Sequence, residues 1–271
     1  MAEPPALKHN RASTERYVGP VKSALRVLLV IELLTEEPGG LTFAQIAARL
    51  SLPKSSTHSL LRTMRERGHL ALDEEGRYRV GLRIWQAGQT HEQGFHLAEA
   101  SRPYLRAARD ELQETIQLAV LDGIENVYLA KEDADQRLVL QSHVGARLPA
   151  YATGLGKALL SGLSDEEVLR RLASGNLRRF TPNTITHTAD LLAELAEVRR
   201  RGYSTDHGEY TDGVTCVAVP VRNHDAEVVA AISVSVPVIR VNDKFEERAA
   251  KVLAREAASL SAALGYKENG R

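Results

Sequence analysis

A segment of short polar and basic side chains between residues 54 and 67 has the composition of a surface that contacts nucleic acid. Its members supply donors, acceptors and positive charges: Lys54, Ser55, Ser56, Thr57, His58, Arg62, Arg65 and Arg67. Hydroxyl and imidazole groups can hydrogen-bond the edges of bases, whereas lysine and arginine bind phosphate oxygens. Glu66 is the only acid among them. The segment therefore suits DNA recognition if a helix presents it.

Residues that could perform nucleophilic catalysis are few. The single cysteine, Cys216, excludes an internal disulfide and a cysteine-rich zinc site, and fits a reducing compartment. A nucleophile, base and orienting group could come from Cys216, His207 and Asp206. Neighbours on a strand point to opposite faces, however, so Asp206 and His207 are not expected to share a pocket. We predict no catalytic residues and keep as the alternative an enzyme that processes small acids through Cys216 or Asp206.

The histidines and glycines give no sign of a metal or nucleotide site. The nine histidines form no H-x-H or H-x-x-x-H pair, which is the spacing that metal sites commonly use. Residues 154–157 read GLGK, but the full spacing of a phosphate-binding loop is missing. We therefore predict no metal and no cofactor.

Three helices and a hairpin must position the polar segment. Apolar residues recur at helical spacing over 21–34, over 43–50 after the N-cap Thr42, and over 54–67 between Pro53 and Gly68. Alternation over 69–81 around a turn at 74–76 then predicts a β-hairpin. This order predicts a winged helix–turn–helix, in which the second helix of the pair enters the major groove. The alternative is a three-helix interaction module with a solvated basic face.

Charge and the hairpin extend the predicted DNA surface. Residues 8–90 hold 13 basic and 8 acidic residues, a net charge of +5, although the whole chain is neutral. Arg77 and Arg79 would make the hairpin a wing that touches the backbone or minor groove. The complete set predicted to contact DNA is Lys22, Ser23, Arg26, Thr42, Lys54, Ser55, Ser56, Thr57, His58, Arg62, Arg77 and Arg79.

The remainder of the chain alternates helical and extended patterns. Helices are predicted over 97–114, 153–162, 165–174, 188–201 and 243–264. Strands are predicted over 117–121, 126–130, 138–142, 202–206, 215–221 and 228–236. Two hairpin-like turns, at 122–123 and 223–227, favour an antiparallel sheet over a doubly wound parallel one. The predicted class is therefore α+β.

Composition places the chain among soluble folded proteins. It has 271 residues, of which 43% are hydrophobic and 26% charged, and no uncharged run is long enough to span a bilayer. We expect a cytoplasmic protein with no membrane partner. The predicted organisation is a flexible arm over 1–19, a winged helix–turn–helix domain over 20–83, a linker helix over 84–97 and a second, α+β domain over 98–267.

Several segments resemble those of IclR-type transcriptional regulators. In the first domain these are residues 21–26 (VKSALR), 52–61 (LPKSSTHSLL) and 78–81 (YRVG). In the second they are residues 153–160 (TGLGKALL), 202–209 (GYSTDHGE), 213–221 (GVTCVAVPV) and 230–235 (AAISVS). The resemblance covers nearly the whole chain from Val21 to about Tyr266. Two positions depart from the family pattern: Val236 and Ala226 stand where glycine is usual.

The resemblance implies a one-component regulator whose second domain, over 98–267, is a GAF-like effector-binding domain. Such a protein binds double-stranded operator DNA as a homodimer or homotetramer, and a small organic or aromatic acid alters its operator affinity. The resemblance places the acid on the backbone of Gly154 and Leu155, with Asp206, Cys216, Ser233 and Ser235 around the rest of the effector. We expect a repressor, while activation stays the alternative sign of regulation.

Overall fold

The computed structural model describes residues 21–88, 92–134, 143–172 and 177–267. The chain divides into two compact units, with the division after Gly88. The predicted arm over 1–19 and the predicted strand over 138–142 lie outside the described residues. The predicted linker helix falls on two helices, one that ends at Gly88 and one that begins at Glu92. The predicted domain boundaries stay predictions.

The first unit is a helical module with a small sheet. Its elements are α1 (Lys22–Thr35), β1 (Leu41–Thr42), α2 (Phe43–Arg49), α3 (Lys54–Glu66), β2 (Leu70–Leu72), β3 (Arg77–Val80) and α4 (Leu82–Gly88). The hairpin strands β2 and β3 pair antiparallel as predicted, and β1 pairs with β3 to give the order β1-β3-β2. β1 was not predicted because two residues are too short to show alternation.

The apolar faces of these helices enclose one core. It is built by Val30, Leu34, Leu41, Ile46, Leu61, Met64 and Leu70. Thr42 caps α2 as predicted: its hydroxyl accepts the amide of Gln45, and the Gln45 side chain accepts the amide of Thr42 at 2.8 Å. Such a cap stabilises a helix by about 1 kcal/mol. The core and the cap together hold α2 and α3 as a helix–turn–helix pair.

The second unit is a six-stranded antiparallel sheet covered by helices. Its helices are α5 (Glu92–Leu112), α6 (Gly154–Leu160), α7 (Asp165–Leu172), α8 (Thr188–Arg201) and α9 (Phe245–Ala263). Its strands are β4 (Thr115–Asp122), β5 (Glu125–Glu132), β6 (Arg147–Pro149), β7 (Ser204–His207), β8 (Val214–Arg222) and β9 (Val228–Pro237). The strand order is β6-β5-β4-β9-β8-β7, and every neighbouring pair is antiparallel. The α+β prediction is confirmed.

The two faces of this sheet differ in chemistry because side chains alternate along each strand. One face carries Ile116, Leu118, Ile232 and Val234, which pack against residues of α5 and α9 in the largest core cluster. The opposite face carries Ala119, Ala218 and Ala231, which pack against Leu155, Ala158 and Leu159 of α6. We call this second side the α6 face. All seven residues of α6 are buried.

Tight backbone contact fixes where α6 lies. A Cβ atom at Gly156 would stand 2.1 Å from the carbonyl oxygen of Ala150, so only glycine allows this approach. Thr153 caps the helix by accepting the amide of Gly156 at 3.0 Å. No helix among residues 21–88, 92–134, 143–172 and 177–267 is long and apolar enough to cross a membrane.

Candidate DNA-binding surface and effector site

One residue that was predicted to contact DNA lies on the buried face of α3. Thr57 is 1% exposed, and its hydroxyl donates to the carbonyl of Pro53 at 2.9 Å. It shares its side of the helix with Leu61 and Met64, four and seven residues further on. The Thr57 side chain therefore faces the core of the first unit and has almost no exposed surface to offer to DNA. The apolar residues at helical spacing could have shown this.

The opposite face of α3 is exposed and holds most of the other predicted residues. Lys54, Ser55, His58 and Arg62 are exposed, whereas Ser56 is half-buried and donates to the Pro53 carbonyl at 3.0 Å. Ser59 is also exposed and follows Ser55 by one helical turn. Ser59 was not among the residues predicted to contact DNA. Arg62 lies 3.8 Å from Glu66 across one turn, so part of its charge is offset.

The predicted residues outside α3 differ in how far they are engaged within the protein. Lys22 and Ser23 are exposed at the start of α1, and Arg26 is half-buried. The Thr42 side chain belongs to the cap of α2. Its hydroxyl is therefore already used within the protein.

The turn of the hairpin sets the directions of the two wing arginines. The carboxylate of Asp73 accepts the amides of Glu75 and Arg77 at 3.1 and 2.8 Å, and the Nε of Arg79 at 3.1 Å. The hydrogen bond from the Arg77 amide holds the pKa of Asp73 below its usual value, with Arg79 adding to the effect. Arg77 also reaches the Gly40 carbonyl at 3.4 Å. The Arg79 side chain keeps half of its surface in solvent.

The residues assigned to the effector come together on the α6 face. Asp206 pairs across the strands with Cys216, and Cys216 with Ser235. Ser233 lies two residues from Ser235 on the same face of β9. A Cβ atom at Gly154 would lie 3.3 Å from that of Cys216 and 3.7 Å from that of Asp206. Leu155 is buried beside this glycine. The start of α6 therefore rests directly on the strands that carry these polar groups.

Asp206 is the acidic centre of this cluster. It is 4% exposed, and its Oδ1 accepts the amide of Glu209 at 2.7 Å. Burial raises its pKa to about 7, helped by the nearby charge of Glu209 and opposed by hydrogen bonds from the Glu209 and Gly154 amides. The Gly154 amide that the resemblance assigns to the effector's acid group thus already faces an internal carboxyl group. An acid effector has to share this amide or take it over.

A buried ion pair between Lys157 and Glu209, which the sequence analysis did not predict, lies next to Asp206. Lys157 is 2% exposed, and its Nζ donates to Oε1 of Glu209 at 2.5 Å and lies 3.6 Å from Glu194. Arg201 forms an ion pair with Glu194 at 2.9 Å. Burial raises the pKa of Glu209, and its Oε2 has no hydrogen-bond partner in the described part of the chain. The sequence does contain a signal for this ion pair, because a lysine between Leu155 and Leu159 on a short apolar helix needs a buried acidic partner.

Cys216 does not have the surroundings of a nucleophile. Burial raises the pKa of its thiol above the usual value, so the thiol is protonated at neutral pH, whereas the thiolate is the reactive form. His207 lies exposed on the other side of β7 from the buried Asp206, as strand alternation predicts. Within the described ranges, no group of three or more His, Cys, Asp or Glu could hold a metal ion.

Gln117 is a further polar residue on the α6 face that sequence reasoning missed. It is 2% exposed and pairs across β4 and β9 with Ser233. Its Oε1 accepts the hydroxyl of Ser235 at 3.0 Å and that of Ser233 at 3.4 Å. Gln117 and Ser233 are separated by 116 positions along the chain, which explains why no local pattern joins them.

Comparison with known proteins gives both units the same relatives. The family model for the IclR helix-turn-helix domain matches residues 23–74, and that for the bacterial transcriptional regulator IclR C-terminal domain matches residues 89–262. The HTH-type transcriptional regulator XynR of Escherichia coli is 33% identical, over 91% of this chain and 98% of that protein. The acetate operon repressor of Salmonella typhimurium is 32% identical, over 98% of this chain and 99% of its own.

A solved structure with a bound small molecule shares the architecture. It is an IclR homologue from Microbacterium hydrocarbonoxydans complexed with 4-hydroxybenzoate, with a TM-score of 0.77 and 27% identity, covering 89% of this chain and 98% of that one. These relatives do not support the enzyme alternative. This chain belongs to the IclR family of bacterial transcriptional regulators and carries the family's helix-turn-helix DNA-binding domain.

Proposed function

We propose that the protein is a repressor that binds operator DNA through α3 and the wing, and that an acid bound on the α6 face changes this affinity. The observation that carries the effector assignment is the meeting of Gly154, Asp206, Cys216 and Ser235 under the start of α6. Repression is supported by the acetate operon repressor among its relatives. The protein binds its effector without converting it, and acts in the cytoplasm.

The DNA-contacting residues follow from exposure on the first unit. On α3, Ser55, His58 and Ser59 point to base edges, while Lys54 and Arg62 bind phosphates. Ser56 contributes its remaining lone pairs, because its proton is directed at Pro53. Arg77 and Arg79 place the wing on the backbone. Lys22, Ser23 and Arg26 add contacts from the start of α1, and Thr42 acts chiefly as the helix cap.

The regulator works as a homodimer or homotetramer on a pseudo-palindromic operator. Val21, Leu25 and Leu28 are large apolar side chains of the first unit that lie 65%, 41% and 54% exposed. A contiguous exposed apolar surface of this kind marks an interaction site. Paired heads would also match two half-sites about one DNA turn apart.

The effector is a small organic or aromatic acid, as the 4-hydroxybenzoate complex of the relative suggests. It binds near the backbone of Gly154 and Leu155, with Asp206, Cys216, Ser233 and Ser235 around it. The effector regulates only to the extent that it binds two arrangements of the paired heads with different affinity. Operator affinity and effector affinity therefore change together, whichever ligand is added first.

Operator binding tests this function directly. Labelled DNA from upstream of the protein's own gene is titrated with protein at several salt concentrations, with and without 4-hydroxybenzoate. We expect a dissociation constant in the range of about 10⁻⁸ M and steep salt dependence, because phosphate contacts release counterions. Arg62→Ala should weaken operator and random DNA alike, by about tenfold, whereas Ser59→Ala should change the preferred sequence.

Arg170→Ala is the matched control, since Arg170 is an exposed arginine on α7 in the second unit. Its operator affinity should equal that of the wild type. Affinity for the operator no greater than for random DNA, or equal losses in the Arg62 and Arg170 variants, would contradict the assignment of α3.

A further inference from the structure

The α6 face contains a chain of hydrogen bonds whose direction can be assigned. The hydroxyls of Ser233 and Ser235 both donate to Oε1 of Gln117, at 3.4 and 3.0 Å. The Sγ of Cys216 lies 3.2 Å from Oγ of Ser235. A serine hydroxyl has one proton, and that of Ser235 is already directed at Gln117. The thiol of Cys216 must therefore be the donor to Ser235.

Because both hydroxyl protons are directed at Gln117, the two serines can accept a hydrogen bond from a ligand but cannot donate one. Oε1 of Gln117 accepts two hydrogen bonds, which is the number its lone pairs allow. All three protons, from the two hydroxyls and the thiol, are used within the chain. What the two hydroxyls can still offer a neighbouring molecule is the lone pairs of their oxygens. We call the surface formed by Ser233, Ser235 and Cys216 the serine wall.

An acceptor-only wall distinguishes between ligand groups. A hydroxyl group on a ligand donates to a serine oxygen and is satisfied. A carboxylate, aldehyde or ketone placed there brings lone pairs against lone pairs, and a buried acceptor without a donor loses its hydrogen bonds to water. A site built to bind a donor therefore rejects an analogue that lacks one much more strongly than an apolar pocket does.

We propose that Gln117 determines effector specificity by holding the protons of Ser233 and Ser235, so that the serine wall selects acids that carry a hydroxyl group. This inference deepens the proposed function and rests on its effector site. It also orients the ligand: the hydroxyl faces β9, and the acid group faces the start of α6, where the Gly154 amide lies. Gln117 thus acts on the effector through the serines.

Matched ligand pairs test the proposal on the full-length protein. Dissociation constants are measured by calorimetry for 4-hydroxybenzoate against 4-formylbenzoate, and for lactate against pyruvate. Each pair keeps the acid group and exchanges a donor for an acceptor of similar size. In the wild type, the hydroxylated member of the pair that fits the site should bind at least about tenfold more tightly, as expected for a buried hydrogen bond replaced by an unsatisfied acceptor.

Gln117→Met removes the acceptor while nearly keeping the side-chain volume. The released serine protons can then donate to a formyl or keto oxygen, so the preference should fall to within about threefold. Ser233→Ala provides a second variant with an intact Gln117: it should weaken the hydroxylated acid and leave the formyl or keto acid unchanged. Gln113→Met, the same exchange at an exposed position, should keep the wild-type ratio.

Each result decides between the proposals. Equal binding within a pair by the wild type, preference for the formyl or keto acid, or an unchanged ratio in Gln117→Met overturns the role of Gln117. If such an acid still shifts operator affinity, the regulatory function stands and only the specificity inference fails. Binding of none of the four acids by a protein that holds its operator overturns the hydroxy-acid inference together with the acid class of effector.

Discussion

Asp206 is a carboxyl group in a place that water hardly reaches, and its titration should be visible in stability. Its pKa of about 7 lies above the ordinary value of 3.8. Between these values the folded state holds a proton that the unfolded state has released, so the free energy of unfolding falls as pH rises through this window. Below the window both states are protonated, and this loss is absent.

Asp206→Asn removes the ionisation but keeps an oxygen for the Glu209 amide. We expect the difference in unfolding free energy, variant minus wild type, to increase by about 2 kcal/mol from pH 5 to pH 7. The limiting slope is about 1.4 kcal/mol per pH unit for one proton. Urea denaturation at both pH values measures the difference. The raised pKa of Glu209 is common to both proteins. A stability gap that is the same at pH 5 and pH 7 would show that Asp206 is ionised throughout.

Individual residues on α3 and on the α6 face show which side-chain positions a sequence can predict and which it cannot. Among the residues predicted to contact DNA, Thr57 is buried, whereas Ser59, which was not included, is exposed on α3; helical spacing alone contains that information. Gln117 and Lys157 are different, because each acquires its role from strands or loops far along the chain. Hydrogen bonds of that kind depend on strand register, which no local pattern specifies.

Among the elements, the turn between β8 and β9 contains a strained residue. Ala226 has φ of +64°, in the left-handed region that favours glycine, at the position where the family usually has glycine. Its amide donates to the carbonyl of Asn223, which closes the turn. The chain therefore holds the turn with a residue whose Cβ is unfavourable there.

Ala226→Gly should relieve this strain and stabilise the protein by about 1 kcal/mol. The measurement is the midpoint of urea denaturation, with the m-value checked for constancy. Ala254→Gly is the matched control: Ala254 is exposed within α9, where the same exchange should destabilise by about 1 kcal/mol. A loss of stability in both variants would mean that the turn carries no strain.

Elements with a strong period or a recognisable hairpin turn were predicted closely, whereas the short strands β1 and β6 were not predicted. The helix over 188–201 and the strands β8 and β9 agree with the predicted bounds to within a residue or two. Long amphipathic or apolar runs are compatible with only one type of secondary structure. β1 and β6 have two and three residues, too few for any period. Both are held in place by partner strands, Leu41 by Tyr78 and Leu148 by Asn126.

At the scale of the molecule, each unit has its own core, so the second unit should fold alone. A fragment of residues 89–267 is expected to give a cooperative unfolding transition and to bind the same acid as the full chain, with no affinity for operator DNA. Circular dichroism, calorimetry and DNA titration check the three statements, with the full-length protein as control. A fragment that aggregates or lacks a cooperative transition would show that the second unit needs the first.

The alternation along β4, β8 and β9 also bears on how such a sensor could change over generations. Residues that pack with α5 and α9 and the residues of the proposed effector site belong to the same strands but lie on opposite sides of the sheet. If the effector binds on the α6 face as proposed, a mutation at Gln117 or Ser233 would alter ligand preference and leave Leu118 and Ile232, in the apolar core on the other side of the sheet, unchanged. New chemical signals can be acquired by single substitutions, without first rebuilding the scaffold that reads them.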